Sequence, residues 1–171
     1  MSGRAGSGLR GGTVRFHAPL LDRLIDLAPD QSRDPVASAS DSLMALRNAV
    51  RRDLEALLNA RRCWRSWDPS LKELSTSPMG YGVPDFSSGA FSDMRQREEL
   101  RLEIEDTIRR FEPRFISVHV TLVPGESPLE ATLRLRIDAV LHAEPAPEPM
   151  TFDTLVDPSN DEVIIVARDA A

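Results

Sequence analysis

The chain has 171 residues and one cysteine, Cys63, which is length enough to bury a core without metal and leaves no internal disulfide to form. Its formal net charge of −6 opposes the electropositive face that nucleic-acid binding needs. No apolar run is long enough to span a bilayer, and none follows Arg4 and Arg10 as a secretory signal requires. Neither direct membrane insertion nor export is therefore expected, and a cytoplasmic location is the expectation.

Residues 1–13 are Gly-rich without a core-forming pattern and are expected to be a disordered tail, with 14–171 forming a single domain. Leu20, Leu21, Leu24, Ile25 and Leu27 recur at helical spacing between Pro19 and Pro29, predicting a short amphipathic helix. A polar stretch, 30–40, then leads to a stronger helix beginning at Asp41 or Ser42, either a good N-cap. Leu43, Leu46, Val50, Leu54, Leu57 and Leu58 mark its apolar face. Asp68-Pro69 predicts a single turn through Leu74, and 75–91 is a loop rich in glycine and proline around Tyr81 and Phe86. Met94, Leu100, Ile104, Ile108 and Phe111 predict a further helix over 92–110, stopped by Pro113.

From Phe115 the period becomes two. Ile116, Val118, Val120 and Leu122 form one strand and Leu133, Leu135, Ile137, Ala139 and Leu141 the next, joined by a turn at 124–128. Shorter strands are expected at 151–156 and 163–166, either side of a turn at 157–160. Helices first and strands last define an α+β class, with N-terminal helices packed on one face of a small antiparallel sheet from the C-terminal half.

Chemistry-bearing patterns are few. His17, His119, His142 and Cys63 have no paired ligand spacing, and no nucleophile elbow, phosphate loop or zinc-protease helix is present. No cofactor or metal is therefore expected. Glu112-Pro113-Arg114 is the most informative spot: a proline breaks the helix where the sheet begins, and residues two apart project to one side. Two readings of that pair stand side by side, an internal ion pair and a clip for a partner protein. A third, Glu112 as a glycosidase acid, needs a second carboxylate across a cleft, and nothing places Asp85 or Glu105 there. The sheet must also leave an edge, which has to be blocked or used for strand addition. The Arg134/Arg136 side of the second strand is expected to be exposed.

Several segments, in order, carry a resemblance: Leu20-Leu21-Asp22-Arg23-Leu24, LRNAVRRDLEALLNAR from Leu46 to Arg61, Tyr81-Gly82-Val83-Pro84-Asp85, and Phe111-Glu112-Pro113-Arg114-Phe115 before a Val-rich strand. Together they resemble the TssE family of type VI secretion baseplate subunits, itself similar to the contractile-phage wedge protein historically called lysozyme-like. The likeness covers 15–167, departing at Ala60, where the family usually has Thr, and at Gly80, where it often has Asn. It implies a non-catalytic subunit that joins TssF and TssG in a wedge, meets TssK, and helps the TssB/TssC sheath begin to polymerise. It places such a subunit in the bacterial cytoplasm, at a baseplate docked to the inner-membrane complex. Glu112, Pro113 and Arg114 become interface candidates, joined by Tyr81, Asp85, Arg134 and Arg136. The old name leaves a peptidoglycan hydrolase as one alternative, and a regulatory adaptor on the same fold as another.

Overall fold

The computed structural model describes residues 38–85, 93–124, 133–143, 146–157 and 162–168, with Leu20, Leu24 and Asp30 as isolated positions before them. The Gly-rich tail, most of the expected N-terminal helix and the turns at 125–128 and 158–160 lie outside the described residues. Leu20 and Leu24 are helical, and both are exposed.

Helix α1 spans Ala39–Asn59. It starts earlier than Asp41 because Ser38 and Asp41 form a capping box: the Asp41 N–H donates to Ser38 Oγ (3.1 Å) and the Ser38 N–H donates to Asp41 Oδ2 (3.2 Å). Leu46, Val50, Leu54, Leu57 and Leu58 are buried along the expected face.

The chain then makes an excursion closed at its base. The Val83 N–H donates to the Ala60 carbonyl (3.0 Å) and the Arg62 N–H to the Val83 carbonyl (2.9 Å), a short parallel bridge. Asp68 caps the Ser70 N–H as its position predicts (2.8 Å), but the turns that follow are of 3₁₀ type, at Lys72–Thr76 and Pro78–Gly80. Both glycines of Gly80-Tyr81-Gly82 are required. A Cβ at 80 would fall inside 3 Å of the Ser75 carbonyl, so this departure bears on backbone packing and not on a side-chain hydrogen bond.

Helix α2, Met94–Phe111, is capped by Asp93, whose carboxylate accepts from the Arg95 N–H (3.0 Å). Leu100, Ile104 and Ile108 are buried and Phe111 packs at the core margin, whereas Met94 is 72% exposed and lies outside the expected stripe.

Strands β1 (Phe115–Val123), β2 (Leu133–Leu141), β3 (Glu148–Asp157) and β4 (Glu162–Arg168) form one antiparallel sheet in that order. Helix α2 packs against β1 and α1 against β4, giving the expected α+β sandwich. Inward residues of the sheet, among them Val120, Leu135, Ile137, Phe152 and Val163, meet the helices in one core. Ile116 departs from its expected place. Two steps along β1, from Phe115 to Ser117, oppose a single step of β2, from Leu141 to Val140. That bulge turns Ile116 outward, leaving it 55% exposed, while Phe115 packs on the core.

Candidate partner-docking site

The elbow between α2 and β1 is built from backbone first. Glu112 ends the helix with its N–H on the Ile108 carbonyl (2.8 Å), and the Phe115 N–H closes the turn on the Glu112 carbonyl (3.2 Å). The Arg114 carbonyl then accepts from the His142 N–H (2.8 Å), pinning the elbow to the end of β2. Pro113 sits exposed at its tip.

The paired projection expected of residues 112 and 114 is present. Arg114 donates from Nε (2.9 Å) and Nη2 (2.6 Å) to Glu112 Oε2. Its Nη2 also reaches Asp53 Oδ2 on α1 at 2.8 Å. One guanidinium thus ties the C-terminal end of α2 to the middle of α1. Asp53 had no signal in the pattern: it is a polar position beside the apolar stripe, and only folding brings it to the elbow. Its other oxygen accepts from Arg52 Nη2 (3.1 Å).

Tyr81 completes the group, its ring set edge-on against Phe111 with centroids 5.3 Å apart and planes at 78°. Tyr81 itself remains 37% exposed. Burial, followed by the Glu112 and Asp53 charges, pushes its hydroxyl above the ordinary tyrosine range. The Glu112 carboxyl is likewise raised: it is only 6% exposed, and desolvation outweighs the opposing pull of Arg114.

The sign of that shift sets a test. A carboxyl raised above its ordinary value of 4.5 favours the fold when protonated, so its contribution is full below that value and is lost as pH rises through the raised one. The stability of wild type relative to Glu112→Gln should therefore be greater at about pH 4 than at about pH 7 in denaturant unfolding. A difference that is flat, or that grows with pH, contradicts the assignment.

Tyr81, Glu112, Pro113 and Arg114 are brought together, and Arg134 and Arg136 lie apart from them. Asp85 is exposed at the end of the described loop. Arg134 and Arg136 pair with Val123 and Thr121, at the far end of β1 from Phe115. At ~3.3 Å per residue this is roughly 25 Å from the elbow. They are half-buried, not fully exposed, and Arg136 is held by Asp153 (Nε to Oδ1, 2.9 Å).

Arg62 is a second structural centre that sequence reading missed. It donates from Nη1 to Glu103 (2.5 Å) and from Nη2 to both the Gly82 carbonyl (3.0 Å) and Thr107 Oγ1 (2.9 Å), stapling the base of the excursion to α2. Among the described residues no cluster of three or more His, Cys, Asp or Glu side chains could hold a metal ion. No helix among them is long and apolar enough to cross a membrane.

Among the described residues, two helices and four strands whose principal polar cluster clamps its own elements together make a scaffold with a rigid corner. Comparison with known families gives this class its name, a structural component of the baseplates of contractile machines. The family model described as baseplate wedge protein gp25 matches residues 44–146, from α1 through β2, and the chain belongs to that family. Membership carries with it contact with other baseplate proteins. No curated protein matches the chain.

Proposed function

We propose that the chain is a type VI secretion wedge subunit of the TssE kind, a non-catalytic joint that binds TssF and TssG, neighbours TssK and helps TssB/TssC sheath polymerisation begin. Its place would be the cytoplasmic baseplate at the inner-membrane complex, and residues 14–171 would act as one domain. The observation that supports this reading most is the family match across the elbow and both elements it joins.

The docking chemistry follows from the elbow. Arg114 keeps 25% of its side chain exposed, and no hydrogen bond from its Nη1 is described. Buttressed by Glu112 and Asp53, it can offer a fixed pair of N–H donors to a carbonyl or carboxylate on a partner. Preorganisation of this kind lowers the entropy lost on docking. The internal ion pair and the clip are thus two aspects of one arrangement. Glu112 as a catalytic acid has less support, since its carboxylate is buried and engaged by Arg114.

The test is capture of partners by tagged chain from cells carrying the whole secretion gene set. Arg114→Ala should remain folded and recover wedge proteins at least about 30-fold less well, the equivalent of losing ~2 kcal/mol at a desolvated charge pair. Equal recovery by both forms removes the elbow from the interface, and cell-wall hydrolysis by purified wild type, abolished in Glu112→Gln, overturns the reading altogether.

A further inference from the structure

The helices cover one face of the sheet, and the other face carries an apolar patch. Buried and outward positions alternate along β3 and β4: Phe152, Thr154 and Val156 are buried, as are Val163 and Ile165. Leu155, Ile164 and Val166 therefore face away from the helices, 41%, 49% and 57% exposed. Leu155 and Ile164 are direct cross-strand partners, and Val166 follows on the same side of β4, opposite Asp153. Arg134 stands beside Leu155 and Arg136 beside Asp153 in the same two rows. Two arginines and one aspartate thus flank the patch, which is basic on balance.

A second exposed apolar face lies near the start of the chain. Leu20 and Leu24 are helical, one turn apart, and 71% and 73% exposed. With Leu21, Ile25 and Leu27 they belong to the apolar stripe that spacing predicts between Pro19 and Pro29. The polar positions of this segment are acidic on balance, with Asp22, Asp26 and Asp30 against Arg23.

An amphipathic helix with an acidic rim suits an apolar sheet patch with a basic flank. Within one copy the two do not cover each other, because Leu20, Leu24 and the sheet residues are exposed in the same chain. We propose that a second copy supplies the match: residues 19–28 of each copy lie across Leu155, Ile164 and Val166 of the other. Exchange of an identical element in both directions closes as a two-fold dimer. Reach permits it. The stretch 31–37 can span roughly 25 Å when extended, and it leads into the half of α1 that Arg47 ties to Glu148, at the start of β3. The same end of the sheet holds the end of β4, where Thr151 stands opposite Arg168. Aliphatic side chains buried at each of two contacts drive the association. The inference goes beyond the baseplate reading and requires no other protein.

Sedimentation of the purified full chain over a range of concentrations tests it. Wild type should pass from monomer to dimer. Leu24→Asp and Val166→Asp should each weaken the dimer at least about tenfold, with unchanged melting of the dilute monomer because both positions are exposed. An equimolar mixture of the two variants should associate more tightly than either alone, since the mixed pair keeps one intact contact. A spin label at Arg23→Cys in a Cys63→Ser background, mixed with isotope-labelled chain that carries no label, should broaden the Ile164 and Val166 amide signals. A chain that stays monomeric at millimolar concentration overturns the inference, as does a dimer that neither substitution weakens. Broadening confined to the spin-labelled chain's own amides assigns the helix to its own sheet. A monomer whose Leu24→Asp form captures baseplate proteins less well assigns it to one of them. Either result overturns the exchange and leaves the family match and the elbow as they stand.

Discussion

Replacing Gly82 by alanine should unfold the chain at markedly lower denaturant, with a loss of about 3 kcal/mol or more. Two costs coincide there. Gly82 has φ 96°, a left-handed conformation that strains an L-residue by ~1–3 kcal/mol. A Cβ would also fall inside 3 Å of the Ala60 carbonyl oxygen, which is backbone and cannot swing away, and overpacking of this kind costs a further ~1–3 kcal/mol. Relief requires separating 82 from 60, which pulls on the Val83-to-Ala60 and Arg62-to-Val83 hydrogen bonds and on the Arg62 staple. Gly80→Ala should cost less, since it meets the Ser75 carbonyl without a positive φ. For a chain this size 3 kcal/mol corresponds to roughly 6–12 °C in melting temperature. Thermal unfolding of the two variants is the check, and a Gly82→Ala protein within about 2 °C of wild type would show the base of the excursion to be pliable.

The second large effect is expected at Glu105. This carboxylate is 7% exposed and holds Arg101, Arg109 and the Val120 N–H together. Alanine there leaves a buried N–H without its acceptor and Arg101, 14% exposed, with only the more exposed Glu98 (2.7 Å) as counter-charge. Removing one member of such a group costs ~3–5 kcal/mol. Glutamine keeps an oxygen for the Val120 N–H and should cost clearly less. The carboxyl also carries a pH signature. Burial tends to raise it, but the Val120 N–H, Arg109, Arg101 and His119 outweigh burial, and it lies below its ordinary value of 4.5. A carboxyl lowered in this way stabilises the fold above its unfolded-state value, and that stability is lost as pH falls through the folded one. Acid unfolding should therefore be shallower in Glu105→Gln than in wild type. An acid limb of equal steepness would show that this group holds no ionised carboxylate.

Much of the architecture was legible from period alone. The Leu46, Val50, Leu54, Leu57 face of α1 and the Leu133-to-Leu141 alternation of β2 stand where spacing puts them, because a single buried face imposes 3.6 or 2 on the residues that fill it. The Glu112–Arg114 pair was legible for a related reason: its members are two residues apart, within reach of local geometry. Boundaries were less legible. Helix α1 begins at Ala39 and not at Asp41 because Ser38 and Asp41 cap each other, one of several polar choices in a Ser- and Asp-rich stretch. Ile116 faces out because of a bulge, and a one-residue slip reverses every side chain before it without altering the pattern.

The sequence by itself determined the class of fold, the order of the elements, the rigid elbow and the resemblance that the family match upholds. What only the tertiary structure decided is who holds whom. Asp53 reaches Arg114 across 61 residues, Asn59 caps Val163 across 104, and Glu105, which reads as one more charge on a solvated helix, is the buried acceptor that closes β1. Apolar burial repeats along an element and so leaves a period to read. A polar contact is made once, between groups whose distance in sequence says nothing of their distance in space, and it leaves none.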